Sequence, residues 1–144
     1  MTNKVIAFGC DHAGLTLKNE LIEAAKAFDY PTLDCGTKTL DSVDYPDFAH
    51  KVVQVLKTDQ ATLGVLICGT GIGMSIAANR HPDIRASVCH TELEARLARE
   101  HNNANILCLG ARILGVDQAK SCLAAFLSAH FINGRHTQRV IKLG

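Results

Sequence analysis

Residues 66–75 read Leu66-Ile67-Cys68-Gly69-Thr70-Gly71-Ile72-Gly73-Met74-Ser75. An apolar run passes directly into alternating glycines and then into a stretch that can continue as a helix. Glycine tolerates positive φ and lets a backbone approach a ligand closely, so successive N–H groups can point into one concavity. The segment therefore predicts a strand-to-helix turn that can hold an anion. A turn made of glycines only for tight packing is the alternative interpretation.

Similar short apolar runs recur on both sides of this segment, separated by stretches with helical spacing of apolar residues. Such alternation is typical of parallel strands joined by crossover helices. We predict a single doubly wound, Rossmann-like α/β domain over residues 1–144, with a five-stranded parallel sheet flanked by helices and a C-terminal helical tail. Its ligands should bind at the carboxyl ends of the strands. The predicted strands are residues 5–8, 32–35, 63–68, 85–89 and 106–109, and the predicted helices include 91–101 and 116–132, the latter capped by Asn133-Gly134.

Composition excludes several classes of protein. The chain has 144 residues, 47% of them hydrophobic, and a formal net charge of +1, which argues against disorder and against a broad electrostatic surface for nucleic acid. No apolar stretch approaches the roughly 20 residues of a membrane span, and no apolar signal-peptide block follows the first residues. We therefore expect a cytoplasmic protein that binds neither nucleic acid nor membrane.

Neither a cofactor nor a metal ion is expected. The glycine spacing is G-x-G-x-G, without the third glycine of the dinucleotide fingerprint, and no G-K-[ST] follows it. The six cysteines are scattered singly, and with the histidines they form no obvious tetrahedral set. Most of them are best interpreted as small buried hydrophobic residues.

Cys68 is the exception because it occupies the last strand position before the glycine turn. There a side chain can face the ligand crevice, where nearby N–H dipoles favour a negatively charged sulfur. We therefore predict a reactive cysteine at this position. A buried packing thiol is the alternative.

The first strand ends in Gly9-Cys10-Asp11-His12-Ala13-Gly14, which brings a carboxylate and an imidazole to the same edge of the sheet. Asp11 and His12 could both contact a substrate. Asp11 alternatively caps a helix, which is the commoner role at such a position. His12 has little packing role in a turn, although surface histidines are common.

Further polar candidates lie in the second half of the chain. His101 and Asn102 follow the charged helix, and Arg112 closes the last strand. Arg135 and Arg139 lie one turn apart if the tail is helical, and two guanidinium groups suit a phosphate. A helix-terminal charge partner for His101 and solvated surface cations for the arginines are the alternatives.

The whole set of motifs resembles the B-type ribose-5-phosphate isomerases, a family that also includes galactose-6-phosphate, allose-6-phosphate and some tetrose-phosphate isomerases. The resemblance spans nearly the entire chain. It is carried by the motifs FGCDHAG, DYPDFA, ICGTGIG with SIAAN, EHNNAN, GAR and GRHTQRV. It implies an aldose–ketose isomerase acting on a small phosphorylated sugar, with D-ribose 5-phosphate and D-ribulose 5-phosphate as the first choice.

The resemblance also implies a role for each candidate. Cys68 would move a proton between C1 and C2, and His101 would assist ring opening. An enediolate would lie against the loop, and the active sites of a homodimer or dimer of dimers would be assembled from two chains. The substrate-binding residues implied are Gly69, Thr70, Gly71, Ile72 and Gly73 for the enediolate, Asp11, His12 and Asn102 for sugar hydroxyls, and Arg112, Arg135 and Arg139 for the phosphate.

Three rival functions follow from the same residues. An isomerase for another phosphorylated aldose would share the reaction centre. A non-catalytic sugar-phosphate binding module would keep the loop and arginines with an inert Cys68. A cysteine-dependent phosphatase would need a C-x5-R loop, and position 74 is methionine.

Overall fold

A five-stranded parallel sheet forms the centre of residues 3–144, the part of the chain that this computed structural model describes. Residues 1 and 2 of the predicted domain lie outside the described residues. The strands are β1 (Ile6–Cys10), β2 (Thr32–Asp34), β3 (Leu63–Cys68), β4 (Ala86–Val88) and β5 (Ile106–Gly110), in the spatial order β2-β1-β3-β5-β4. The predicted sheet is confirmed, and β3 has the predicted bounds because turns flank its apolar run on both sides.

Helices cover both faces of the sheet, which confirms the doubly wound architecture. The helices are α1 (Leu15–Ala27), α2 (Tyr45–Lys57), α3 (Ile72–Ala78), α4 (Glu92–Asn102), α5 (Val116–Ser128) and α6 (Arg135–Leu143), and one 3-10 turn spans His12–Gly14. On one face α1, α4 and α5 pack against strand residues such as Phe8 and Ile67, whereas on the other face α2 and α3 pack against residues such as Leu66 and Cys68. Because successive strand residues point to opposite faces, one strand contributes to two apolar cores.

The strand order creates a crevice between β1 and β3. These strands are neighbours, with Cys10 paired to Ile67, but the chain leaves β1 toward β2 on one side and leaves β3 toward β4 on the other. At such a switch point the two connections diverge and open a cleft at the carboxyl edge. Both Asp11-His12 and the turn after Cys68 begin at this edge.

The prediction of one long helix over residues 116–132 is wrong at its end. Helix α5 stops at Ser128, and Ala129 is extended, with φ −82° and ψ 155°. The amide of Ile132 donates to Glu100 O at 3.0 Å, so the segment after α5 is held against the end of α4. Asn133 and Gly134 have positive φ, as a cap would, but they form the turn into α6, where Gly134 is the N-cap residue.

Among residues 3–144, no helix combines the length and the apolar character that are needed to cross a membrane.

Candidate active site

Cys68 ends β3 and is almost completely buried, with 5% of its surface exposed. Its Sγ accepts a hydrogen bond of 3.1 Å from the amide of Gly71. An N–H group directed at sulfur stabilises negative charge on it. The structure therefore gives this thiol a partner suited to a thiolate.

The turn after Cys68 depends on a residue without a side chain at position 71. Gly71 has φ +80°, and a Cβ built there would lie 3.0 Å from the carbonyl carbon of Leu109. Thr70 Oγ1 accepts from the amide of Ile72 at 3.2 Å and so tightens the same turn. The first helical bond of α3 runs from Ser75 N–H to Gly71 O, so the amides before Ser75 in α3 are not used within the helix. The predicted strand-to-helix turn is thus confirmed in its backbone geometry.

Asp11 has the capping geometry that was the alternative to substrate contact. Its Oδ1 accepts from the amides of Ala13 and Gly14 at 3.0 and 3.2 Å. A Cβ at Gly14 would lie 2.5 Å from Ile67 O, so only glycine lets this turn rest directly on β3. The cap therefore holds the end of β1 against the strand that carries Cys68. Contact of Asp11 with a sugar hydroxyl stays a prediction.

His12 is oriented by the loop between β2 and α2. Val43 N–H donates to Nδ1 of His12 at 3.2 Å, which leaves the proton of the neutral ring on Nε2. The start of the same loop is anchored by Lys18, whose buried Nζ donates to both carboxylate oxygens of Asp34 at 2.9 Å and to Thr37 O at 3.2 Å. An ion pair whose cation is buried thus holds the start of the loop that presents His12.

Arg112, which follows β5, lies beside the glycine turn. Its amide donates to Gly69 O at 3.0 Å. Its guanidinium packs so closely on Gly69 that a Cβ built there would lie 3.2 Å from one terminal nitrogen. A cation is therefore within a few ångströms of the residue that follows Cys68.

Tyr45 is a further candidate to which we assigned no role from the sequence. Its ring lies against α3, and a Cβ at Gly73 would be 2.5 Å from ring carbons and 2.8 Å from the hydroxyl oxygen. The only sequence signal was the position of Tyr45 within the DYPDFA motif, directly before a proline suited to a helix start. The close approach to Gly73 is a tertiary contact that no local pattern reveals.

The second group of predicted residues lies around α6. The rings of His101 and His136 stack, with centroids 4.2 Å apart and 12° between their planes. Burial, His101 and the cations Arg135 and Arg139 lower the pKa of His136. A cleft of about 280 Å³ is lined by these two rings together with Asn102, Arg139, Val140 and Leu143. The structure thus brings His101, Asn102 and Arg139 together, and Arg135 lies one turn before Arg139 in α6.

Within one chain, the two groups lie at opposite edges of the sheet. Helix α4 leaves the carboxyl end of β4 and ends at Asn102, shortly before β5 begins. Its 11 residues span about 16 Å at 1.5 Å per residue. His101 is therefore near the amino edge and Cys68 at the carboxyl edge, so the two predicted catalytic residues are not neighbours in a single chain.

The other five cysteines are buried or partly buried. Burial raises the pKa of Cys10 and of Cys122 to about 11, and it also raises the pKa values of Cys35, Cys89 and Cys108. These side chains pack as small apolar groups. Within residues 3–144, no group of three or more His, Cys, Asp and Glu side chains is arranged to hold a metal ion.

Comparison with known proteins gives the family. The sequence profile described as Ribose/Galactose Isomerase matches residues 6–143. The chain belongs to the ribose/galactose isomerase family. Ribose-5-phosphate isomerase B of Escherichia coli K12 is 43% identical over 137 residues, which are 95% of this chain and 92% of that protein. The family resemblance inferred from the motifs is confirmed.

Solved structures of the ribose/galactose isomerase family share the fold. A ribose 5-phosphate isomerase from Thermotoga maritima superposes with a TM-score of 0.96 at 46% identity, covering 99% of this chain and 98% of that one. Ribose-5-phosphate isomerase B of Clostridium thermocellum gives a TM-score of 0.95 at 48% identity, covering 97% and 95%. At such identity and coverage, the likeness extends to the whole described domain.

Proposed function

We propose that this chain is an aldose–ketose isomerase that interconverts D-ribose 5-phosphate and D-ribulose 5-phosphate through an enediolate. The observation that carries the proposal is the environment of Cys68. This thiol lies at the switch point of the sheet, its sulfur accepts a hydrogen bond from the Gly71 amide, and Arg112 lies beside the following turn. The substrate is supported by relatives that cover nearly the whole chain and are named ribose-5-phosphate isomerase B.

The chemistry assigned to Cys68 is proton transfer at carbon. The thiolate removes the proton from C2 of the open-chain aldose, and negative charge develops on O1. The loop amides stabilise that charge, because preorganised donors act most strongly where an oxyanion forms. The thiol then returns the proton to C1, while the hydroxyl proton of O2 moves to O1, which yields the ketose. No electrons leave the substrate, so the step needs no redox cofactor.

His101 is assigned to ring opening. A neutral imidazole can take the proton of the anomeric hydroxyl and deliver one to the ring oxygen near neutral pH. Stacking against His136 keeps the His101 ring in a fixed plane. Arg112, Arg135 and Arg139 would bind the phosphate, for which guanidinium groups are suited in charge and shape.

The complete site is proposed to form between two copies of the chain. Within one chain His101 and Cys68 lie at opposite edges of the sheet, about the length of α4 apart. A second copy would therefore bring the residues around α6 to the glycine turn, namely His101, Asn102, Arg135 and Arg139. Apolar side chains on α3 and α6 support such a contact, since Ile72 is 55% exposed beside the turn and Ile141 is 72% exposed on the helix that carries the arginines. We therefore propose a homodimer, alone or paired into a tetramer, acting in the cytoplasm.

Turnover of purified protein tests this proposal. Ribose 5-phosphate should be isomerised at the highest kcat/KM, with allose 6-phosphate and galactose 6-phosphate as competitors. A clear preference for a hexose phosphate would support the proposed type of reaction but contradict ribose 5-phosphate as the substrate. Binding of all three sugars without turnover would support the non-catalytic binding module instead.

Light scattering on the same sample tests the assembly. A dimer or tetramer is expected at assay concentration. A fully active monomer would contradict the shared site while leaving Cys68 as base untouched.

A further inference from the structure

Two histidines that are 31 residues apart in sequence meet on the surface, away from the residues of the candidate active site. Nδ1 of His50, in α2, lies 2.7 Å from Nε2 of His81, which follows α3. The ring centroids are 4.9 Å apart and the planes are inclined by 71°. At this distance one nitrogen carries a proton and the other offers its lone pair.

A comparison with His101 and His136 shows that two neighbouring histidines do not always bring their ring nitrogens together. The stacked rings of His101 and His136 are inclined by only 12°. Ring nitrogens of parallel imidazoles project in parallel planes, so their lone pairs do not meet at one point. The edge-on geometry of His50 and His81 instead brings two ring nitrogens within 2.7 Å of each other.

We propose that His50 and His81 form a two-nitrogen binding site for a divalent late transition-metal ion, with water completing its coordination. Imidazole nitrogens are ligands for Ni²⁺, Cu²⁺ and Zn²⁺ at about 2.0–2.1 Å. With each lone pair directed at the metal, each ring centroid would lie about 3.2 Å from the ion. The observed centroid separation of 4.9 Å then corresponds to an N–metal–N angle of about 100°.

That angle lies between the square-planar or octahedral value of about 90° and the tetrahedral value of about 109°. The two rings therefore need only to rotate, without moving apart, to bind an ion. The proton now between them moves to the other nitrogen of the same ring by exchange with solvent. No proton is lost overall and no oxidation is involved.

The cation Lys57 lies near His81 and repels a metal ion, but it is exposed and its effect is screened by solvent.

A metal ion at this position would join the two helices that frame the candidate active site. Tyr45, at the start of α2, contacts Gly73 in α3, whereas His50 and His81 lie further along the same two segments. The ion would therefore bind the folded protein more tightly than the unfolded chain, in which the two histidines are separate. Such preferential binding raises the melting temperature, and the gain grows with the logarithm of the metal concentration above the dissociation constant.

Titration of tag-free protein with NiCl₂ tests the site, with a phosphine reductant keeping thiols reduced. Calorimetry should give one strong Ni²⁺ per chain. His50→Asn and His81→Asn should each weaken binding at least about tenfold, and the double substitution should lose little more, because each single change already removes the chelate. His130→Asn, at an exposed histidine elsewhere on the surface, is the matched control and should bind Ni²⁺ like the original chain.

Thermal unfolding gives a second measurement. Excess Ni²⁺ should raise the melting temperature of the original chain and of His130→Asn but not that of His50→Asn or His81→Asn. Unchanged Ni²⁺ affinity in both His50→Asn and His81→Asn, or a loss of equal size in His130→Asn, would overturn the proposal. Isomerase turnover of metal-free protein is a separate measurement, so failure of this site and failure of the proposed function are distinguishable.

Discussion

Gly71→Ala tests whether the geometry of the glycine turn determines both stability and turnover. Position 71 has φ +80°, where a side chain costs about 1–2 kcal/mol. A Cβ there also lies 3.0–3.2 Å from backbone atoms of Leu109, which cannot yield as a flexible side chain could. Overpacking of this kind costs roughly 1–3 kcal/mol. The free energy of unfolding should therefore fall by about 2–5 kcal/mol.

The same substitution should also affect catalysis. Displacement of residue 71 moves its amide away from Cys68 Sγ, which it now contacts at 3.1 Å, and disturbs the neighbouring amides. Loss of one preorganised donor lowers kcat about 10²–10³-fold in enzymes that stabilise an oxyanion. Urea unfolding measures the first effect, and turnover of ribose 5-phosphate well below the unfolding transition measures the second.

Gly115→Ala is the matched control for this experiment. Gly115 has φ −73°, and a Cβ there would meet nothing within 4 Å. The control should change stability by about 1 kcal/mol at most, because Gly115 has no side-chain cap to lose, and it should leave kcat unchanged. Unaltered stability and turnover in Gly71→Ala would refute the view that this turn needs glycine.

The remaining predictions concern the phosphate, the ring-opening step and a buried ion pair. Arg139→Ala should raise KM for ribose 5-phosphate and weaken binding of inorganic phosphate, with an unchanged circular dichroism spectrum; equal affinities would exclude Arg139 from the phosphate site. His101→Ala should slow the reaction of the cyclic aldose more than that of the acyclic ketose, and equal losses in both directions would count against a role in ring opening. Burial alone would raise the pKa of Asp34, but hydrogen bonds from Lys38, Lys18 and the Gly36 amide outweigh it and lower the pKa. The folded protein therefore gains stability from this carboxylate above the unfolded pKa of about 3.9 and loses it as pH falls through the lower folded value. Lys18→Met should reduce this acid-side dependence in urea unfolding at pH 2–6 and destabilise the protein by roughly 1–3 kcal/mol, because Asp34 loses one hydrogen-bond partner but keeps Lys38 and the Gly36 amide; an unchanged pH profile would contradict the assignment.

Much of the fold was predictable because its signals are local. The run over 63–68 is apolar, short and followed by glycines, and it forms β3 with those bounds. The end of α5 was not predictable from the same kind of signal, because Asn133-Gly134 suits either the end of one helix or the turn into the next. The choice depends on the contact between Ile132 and Glu100, which are far apart in sequence.

The candidate site was predictable as a set of residues but not as an arrangement. Cys68 was singled out from its position at the end of a strand directly before the glycine turn, and in the structure its Sγ accepts a hydrogen bond from the Gly71 amide. The separation of His101 from Cys68 follows from the direction of α4, which carries the chain back to the amino edge of the sheet. The packing of Tyr45 on Gly73 and the meeting of His50 with His81 are tertiary contacts, which sequence spacing does not reveal.

Incorporation of solvent deuterium into the sugar tests the central claim, that Cys68 is the base, most directly. The substitution is Cys68→Ala, compared in ²H₂O with the original chain and with Cys35→Ala, a control at a partly buried cysteine that directly follows β2. We predict deuterium at C1 of ribulose 5-phosphate with the original chain and with Cys35→Ala. We predict neither deuterium nor isomerisation with Cys68→Ala, although calorimetry should still detect substrate binding through the loop and arginines. Near-normal deuterium incorporation by folded Cys68→Ala would contradict the account and require another base.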